Sequence, residues 1–317
     1  MRLQSLEILK RISIQTFSLN CEIVFFYMSI LGCNVMNGDI DKEIKVIVKK
    51  YYLSFQNINE GYAGTRFKSW EYCHQFFLDN KDKFNGKFKD GILVNTEDLT
   101  SEQKSIRELM ALHLGFYLAS WGMYRGSSFL LNRDYKAHLK AVDIILEPKY
   151  ESLWNFNPTD EESIESADKL LFSQSENNRG IYWRIKKEAY KSISDPESNS
   201  SSSCNSPSDV EPTDTLITKI LLGTFACIPA FDRFFKDGVN IFNNNLPKEE
   251  KLSTNIESKR LKTFKAISKF ALNHSDSISS LKNDDNFNGL KDYPVMKIVD
   301  MYFWQKGYDA PSSNGNN

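Results

Sequence analysis

The stretch TSEQKSIRELMALHLGFYLASW, residues 100–121, carries the strongest helical pattern in the chain. Its apolar side chains recur at three- and four-residue spacing, which predicts one long α-helix. Thr100 and Gln103 stand at the spacing of a capping box, which marks the start of that helix. The helix is apolar on more than one face, a pattern typical of a central, buried helix. A glycine-bounded turn, GMYRG at residues 122–126, ends it.

Helical spacing recurs on both sides of this stretch. Ser69 is expected to cap a short helix, Thr159 and Glu162 form a second capping box, and Pro294 opens the last helix. The other predicted helices cover residues 40–55, 70–77, 134–146, 163–172, 182–193, 214–226, 264–271 and 294–306. Almost nothing alternates with a period of two, so we predict an all-α fold. The helices are expected to form an array in one large domain or in two packed helical subdomains.

Composition sets the predicted domain boundaries. Residues 194–213, SDPESNSSSSCNSPSDVEPT, lack apolar periodicity and predict a disordered Ser/Asn/Pro-rich linker or insertion. This segment follows a helical subdomain over residues 37–193 and precedes a C-terminal helical subdomain over residues 214–309. The polar residues 310–317 predict a disordered tail.

The N-terminal residues 1–36 are interpreted as an extension, either a start-site artefact or a signal-like segment. Their apolar run, residues 23–35, is shorter than the ~20 residues of a membrane-spanning helix. We therefore predict no membrane association unless this run is a real signal or anchor.

Charge and composition exclude several classes of function. The 40 basic and 41 acidic side chains give a formal charge of −1, so nucleic-acid binding would need a local patch. The five cysteines form no CxxC pair, which argues against a disulfide framework and indicates a reducing, cytoplasmic location. The chain has no GxGxxG, Walker or GxSxG motif, and its four histidines lack ligand spacing. We therefore expect neither a cofactor nor a metal site.

The first candidate site is WGMYRGSSF, residues 121–129. Trp121, Tyr124 and Arg125 crowd a glycine-bounded turn directly after the long helix. Arginine beside aromatic rings suits stacking on bases or binding of phosphate. The alternative is a tight turn between helices in which Arg125 caps backbone carbonyls.

The second candidate site is TKILLGTFACIPAFDRFF, residues 218–235. Lys219 lies on an otherwise apolar helix, and burial favours the neutral amine that acts as a nucleophile. Asp232 follows a short loop, from which it could stabilise a developing cation or position a water molecule. The alternative is that Lys219 extends to solvent and that Asp232 forms a surface pair with Arg233.

The closing helix carries a third group of polar and aromatic residues. Lys297, Asp300 and Trp304 follow one another at one-turn spacing. This spacing is compatible with an ion pair or with a solvated helix face.

Three segments, HLGFYLASWGMYRGSSFLL, TKILLGTFACIPAFDRFF and YPVMKIVDMYFWQKG, resemble blocks of an uncharacterised, mostly bacterial family of helical proteins. That likeness covers most of the chain from Met36 onward and implies no activity. A more remote likeness does imply one. A lysine on an apolar helix, a proline loop, an aspartate followed by arginine, and a last helix with Asp and Trp resemble the C-terminal half of 8-oxoguanine-type DNA glycosylases, in the helix-hairpin-helix superfamily.

The glycosylase resemblance implies that Lys219 is the nucleophile and Asp232 the catalytic aspartate. Such enzymes flip a base into a pocket, attack the sugar C1′ with the lysine amine and pass through a Schiff base. The expected substrate-binding residues are Trp121, Tyr124, Arg125, Arg233 and Trp304. The aromatic members of this set would stack on the base. The glycine hairpin of the family, roughly LxGVG ahead of the lysine, is missing, so phosphate contacts must come from elsewhere.

We therefore expect a glycosylase-like protein that acts on DNA through Lys219 and Asp232. This function requires both residues to line one concave pocket near Trp121 or Arg125, with a positive rim. Two alternatives stay open. A non-catalytic helical binding or scaffold protein requires a filled interior and an exposed apolar patch. A small-molecule enzyme with a Schiff-base lysine requires a closed pocket without a basic rim.

Overall fold

The computed structural model describes residues 40–54, 68–191, 211–244, 246–248, 251–252 and 256–310. The predicted N-terminal extension lies outside the described residues, as do the insertion up to residue 210 and the tail after residue 310. Contacts divide the chain into two units, Met1–Val46 and Ile47–Asn317. The described residues of the first unit, 40–46, are helical. The second unit contains both candidate sites.

The all-α prediction is confirmed, because 67 % of the described residues are helical and the sheet seen among them has two short strands. The helices are α1 (40–53), α2 (Ser69–Asn80), α3 (Ser101–Ser120), α4 (Leu139–Ile145), α5 (Glu161–Phe172), α6 (Ile181–Glu188), α7 (Asp214–Gly223), α8 (Arg233–Asn243), α9 (Ile256–Asn273), α10 (Ser275–Lys282) and α11 (Val295–Tyr308). The strands are β1 (Phe88–Lys89) and β2 (Ile92–Leu93).

The helix starts test the predicted caps. The box on α3 is confirmed, since the Gln103 N–H donates to the Thr100 hydroxyl at 3.2 Å and the Thr100 N–H donates to the Gln103 side chain at 3.0 Å. The second box is shifted by one residue, because the Asp160 carboxylate accepts from the Ser163 N–H at 2.7 Å. The predicted cap at Ser69 is wrong. Ser69 is already the first residue of α2, and its hydroxyl makes no cap bond.

The expectation that α3 is a central, buried helix is also wrong. Leu109, Leu112 and Phe116 on α3 are 40–47 % exposed, so its second apolar face points to solvent. The last helix is far more enclosed, because every residue from Met296 to Gln305 is buried. It packs against α8 and α9.

Two glycines let α8 and α11 cross at close range. A Cβ on Gly238 would lie 1.8 Å from the Phe303 carbonyl oxygen, and one on Gly307 would lie 2.0 Å from the Phe234 carbonyl oxygen. A larger residue at either position would therefore push the two backbones apart. The close crossing brings the start of α8, with its cap Asp232, beside Trp304 of α11.

Sequence patterning missed the hairpin of β1 and β2. Its turn is formed by Asp90 (φ 52°) and Gly91 (φ 76°), both in the left-handed region. The Asp-Gly dipeptide between Phe88–Lys89 and Ile92–Leu93 is the signal that could have found it.

We predict that Gly238→Ala destabilises the protein by ~2–3 kcal/mol, because overpacking of a close contact must move the backbone of α8 or α11. Urea unfolding followed by circular dichroism measures this loss. The control is Asn240→Ala, an exposed position on the same helix, which should change the free energy of unfolding by no more than ~0.5 kcal/mol. Equal stabilities of the two variants would contradict the close crossing.

Candidate functional site

All seven predicted site residues line one cavity of about 800 Å³. They are Trp121, Tyr124, Arg125, Lys219, Asp232, Arg233 and Trp304. The end of α3 and the turn after it supply the first three, α7 supplies Lys219, the start of α8 supplies the next two, and α11 supplies Trp304. One site is therefore formed by three segments that are distant in sequence: residues 121–125, 219–233 and 304.

Lys219 and Asp232 form a buried ion pair on the cavity wall. Lys219 is 2 % exposed, and its Nζ lies 2.9 Å from the Asp232 Oδ2. The alternative in which Lys219 extends to solvent is thus wrong. Asp232 also caps α8, because its Oδ1 accepts from the Phe235 N–H at 3.1 Å. The cap anchors the carboxylate and leaves its second oxygen to face Lys219.

Tryptophan side chains surround this ion pair. The Lys219 Nζ lies 5.0 Å from the centre of the Trp121 ring, within range of a cation–π interaction. The Trp304 indole N–H donates to the Asp232 Oδ2 at 3.3 Å. Trp121 and Trp304 meet edge to face at 5.8 Å. The pair therefore presents its charges against aromatic walls.

A second buried ion pair supports the site from behind. The Lys297 Nζ lies 2.9 Å from the Asp300 Oδ2, and both residues are at most 3 % exposed. The solvated-face alternative for α11 is thereby excluded. Burial lowers the pKa of Lys297, but the neighbouring Asp300 charge outweighs it and holds that pKa above its usual range. Asp300 also accepts from the Ala230 N–H at 3.0 Å, which ties α11 to the loop before Asp232.

Trp121 lies within 6 Å of both lysines. The Lys297 Nζ is 5.8 Å from the Trp121 ring centre, and the Lys219 Nζ is 5.0 Å from it. The predicted role of Arg125 as a carbonyl cap is not observed. No hydrogen bond from its side chain is found in the described part of the chain. The turn is closed instead by backbone bonds, such as that from the Met123 N–H to the Leu118 carbonyl.

A buried histidine connects the cavity to the interior. The Tyr124 hydroxyl lies 2.7 Å from the His138 Nε2, and the Tyr190 hydroxyl lies 3.0 Å from the His138 Nδ1. Burial lowers the pKa of His138 to about 4, so the ring is neutral at pH 7. A neutral imidazole donates through one nitrogen and accepts through the other, and it thereby orients both tyrosine hydroxyls. Burial raises the pKa of Tyr124 to about 12.

Eight further residues line the cavity, among them Ser69, Thr215, Phe234 and Tyr308, which were not predicted. Tyr308 stacks on Trp304 with ring centres 4.9 Å apart, and Phe234 meets the same indole at 4.9 Å. Phe234 directly follows Arg233, and Tyr308 lies one turn after Trp304. Helical spacing from Trp304 is the signal that could have found Tyr308, and Phe234 lies inside the second candidate segment, residues 218–235. Ser69 gives no such signal.

The comparisons with known proteins give no relative. The chain matches no protein-family model, and it has no significant match among curated proteins or solved structures. None of the helices in the described ranges is long and apolar enough to cross a membrane. The same ranges contain no group of three or more His, Cys, Asp or Glu residues placed to hold a metal ion. The chemistry of the cavity must therefore be judged from its own residues.

We predict that Asp300→Ala destabilises the protein by ~3–5 kcal/mol, because it leaves the Lys297 ammonium buried without its carboxylate. The double variant Lys297→Met/Asp300→Asn should lose less than half as much stability as Asp300→Ala. It removes the buried ammonium charge and keeps a side-chain oxygen that accepts from the Ala230 N–H. Urea unfolding compares the variants. Glu102→Ala, which breaks an exposed pair with Lys83, should cost no more than ~1 kcal/mol. A similar cost for Glu102→Ala and Asp300→Ala would contradict the buried pair.

His138 and Asp168 make opposing contributions to the pH dependence of stability. The unfolded state binds more protons at His138 between pH 4 and 6.5, so this residue lowers stability as the pH falls through that window. Burial raises the pKa of Asp168 from 3.8 to about 6, so there the folded state binds more protons and the sign reverses. We predict that Asp168→Asn exposes the histidine effect. Its free energy of unfolding should fall by ~2 kcal/mol more than that of the wild type between pH 6.5 and 4.5.

Chemical unfolding at a series of pH values checks this prediction. His138→Gln should have the opposite effect and make the protein more stable toward acid, relative to its own value at pH 7. Parallel pH profiles of Asp168→Asn and the wild type would disprove the assignment.

Proposed function

We propose that this protein is an N-glycosylase that acts on a base extruded from DNA, with Lys219 and Asp232 as its catalytic pair. The observation that carries the proposal is the 2.9 Å contact between these side chains on the wall of an aromatic cavity. The volume of about 800 Å³ lies within the usual range of small-ligand sites, roughly 300–1,000 Å³. A buried amine and carboxylate in such a cavity suit attack on a sugar carbon.

The aromatic walls support a planar substrate. Trp121 and Trp304 line the cavity beside the ion pair. Stacking of a base on an aromatic side chain contributes about 1–3 kcal/mol and tolerates any base. An extruded base loses its stacking in the duplex, and these rings would offset that loss.

The pair can carry both halves of the reaction. Lys219 passes a proton to Asp232, and the free amine forms a bond to C1′ while the bond from C1′ to the base breaks. The base leaves with the electron pair of that bond and takes up the proton from Asp232. One proton then moves from the attached nitrogen to O4′ as the bond from C1′ to O4′ breaks, which opens the sugar ring and gives a Schiff base that water hydrolyses. Once the base has taken up the proton, the Asp232 carboxylate stabilises the positive charge of the Schiff base.

Location and charge are compatible with this function. The described cysteines, Cys73 and Cys227, are buried free thiols, which supports a reducing, cytoplasmic compartment. The net charge of −1 gives no general attraction to DNA. DNA contacts must therefore come from local groups, and Arg125 and Arg233 are exposed cationic residues that line the cavity.

A second candidate function is a helical binding protein. It is favoured by the exposed apolar side chains of Leu109, Leu112 and Phe116 on one face of α3. The cavity of ligand size at Lys219 is a feature that a binding or scaffold protein does not need, and it supports the catalytic proposal instead. The catalytic proposal therefore ranks first.

We predict that borohydride traps the purified full chain on duplex oligonucleotides that carry 8-oxoguanine, uracil or an abasic site. Reduction makes the Schiff base permanent, so a covalent adduct is seen on a denaturing gel. Lys219→Gln should abolish the adduct, whereas Lys104→Gln, at an exposed position away from the cavity, should retain it.

Asp232→Asn separates the two roles of the pair. It should slow base release by about 10²–10³-fold, because the group that carries the proton from Lys219 to the departing base is lost. Trapping at the abasic site should persist in this variant, since no base has to leave there. Absence of any adduct, with folded protein confirmed by circular dichroism, would refute the lysine route. Base release without an adduct would instead assign Asp232 to the activation of water.

A further inference from the structure

We infer that the cavity binds one nucleoside unit together with its phosphate. Arg125 and Arg233 hold the phosphate at the mouth, and Ser69 contacts a polar edge of the base at the buried end. The inference rests on the proposed function and adds which substrate groups the site recognises. Arg125, Arg233 and Ser69 take part in neither of the two ion pairs described above.

The arginines provide a local surplus of positive charge. Arg125 and Arg233 are both exposed and line the same cavity as Lys219. Neither has an acidic partner in the described part of the chain, and the Asp232 carboxylate is already paired with Lys219. Guanidinium groups bind phosphate oxygens through two parallel hydrogen bonds. Two unpaired guanidinium groups on one cavity are therefore suited to a phosphate.

Local packing holds both guanidinium groups in place. A Cβ on Gly122, which has φ +76°, would lie 2.7 Å from the Arg125 Nε, so the arginine lies directly on this glycine. The Arg233 guanidinium carbon lies 4.5 Å from the centre of the Phe234 ring. Such packing limits the rotamers of each side chain, so less conformational entropy is lost on binding.

Ser69 provides the recognition group at the other end. It is 0 % exposed and lines the cavity, yet its hydroxyl has no hydrogen-bond partner among the described residues. A buried hydroxyl without a partner costs free energy in the empty protein. A ligand whose edge carries donors or acceptors would satisfy it after a small movement of the neighbouring side chains, because the hydroxyl oxygen is buried and a hydroxyl both donates and accepts. Nucleobases have such edges.

Calorimetric titration of the full chain tests the phosphate contact. The probes are 2′-deoxyguanosine, 8-oxo-2′-deoxyguanosine and 2′-deoxyuridine, each with and without a 5′-phosphate, and inorganic phosphate alone. We expect at least one base for which the monophosphate binds tenfold or more tightly than the nucleoside. Arg125→Gln and Arg233→Gln should each reduce that ratio several-fold. Arg179→Gln makes the same charge change away from the cavity and should preserve it.

The serine contact has a signature that a structural role would not produce. Ser69→Ala should weaken binding of the nucleoside about 3- to 10-fold, the range of one neutral hydrogen bond, while its melting temperature stays equal or rises. A lower melting temperature with unchanged affinity would overturn the role of Ser69.

The remaining outcomes distinguish the inference from the proposed function. Equal affinities for nucleosides and monophosphates, with arginine variants that bind like the wild type, would overturn the phosphate site and leave the glycosylase proposal intact. Binding of inorganic phosphate without any nucleoside would overturn the base contact. Absence of all binding, together with absence of borohydride trapping, would refute both. A duplex that carries the preferred base, titrated with the same variants, separates a nucleotide within DNA from a free one.

Discussion

The arrangement of the site depends on the burial of two lysines on the same tryptophan. Lys219 and Lys297 both lie within 6 Å of the Trp121 ring, and neither is more than 2 % exposed. An ammonium group without a counter-ion is expensive to bury, so each lysine requires an aspartate at its side. The position of each aspartate then determines how α7, α8 and α11 must meet.

Each aspartate is placed by a backbone contact of its own. Asp232 accepts from the first turn of α8, and Asp300 accepts from the Ala230 N–H in the loop before it. That loop therefore has one end attached to α11 and the other to α8. Gly238 and Gly307 permit the close crossing of the same two helices. The helix cap, the ion pairs and the glycine contacts thus favour a single arrangement of α8 and α11.

The two ion pairs share their chemistry but differ in access. Lys219 and Asp232 line the cavity, whereas Lys297 and Asp300 are not among its lining residues. The Lys297–Asp300 pair can only hold Trp121 and the loop at Ala230 in position. The Lys219–Asp232 pair is held in place by that loop and by Trp121, and it faces a space in which a ligand can bind. This difference in access, rather than any difference in residue type, is the reason why we propose a structural role for Lys297 and Asp300 and a catalytic role for Lys219 and Asp232.

Much of the fold was predictable because local rules govern it. The periodicity of α3 and its capping box predicted a helix that the structure contains, and the lack of alternation predicted the all-α class. Local rules failed where neighbours in space decided the outcome. The second apolar face of α3 predicted burial, but the helix exposes Leu109 and Phe116 because no described element covers them. Ser69 was predicted as a cap because it precedes an apolar helical run. It lies inside α2 instead and lines a cavity formed by distant segments, which local spacing does not indicate.

The sequence by itself determined which residue types could take part in chemistry. A lysine on an apolar helix and an aspartate behind a proline loop are unusual enough to be selected without coordinates. Their contact was not determined at that level, because thirteen residues and a change of chain direction separate Lys219 from Asp232. Only the tertiary structure placed Trp121, from an earlier helix, and Trp304, from the last one, around that pair. Such contacts join residues far apart in the chain, and their formation depends on packing of the whole core rather than on local spacing.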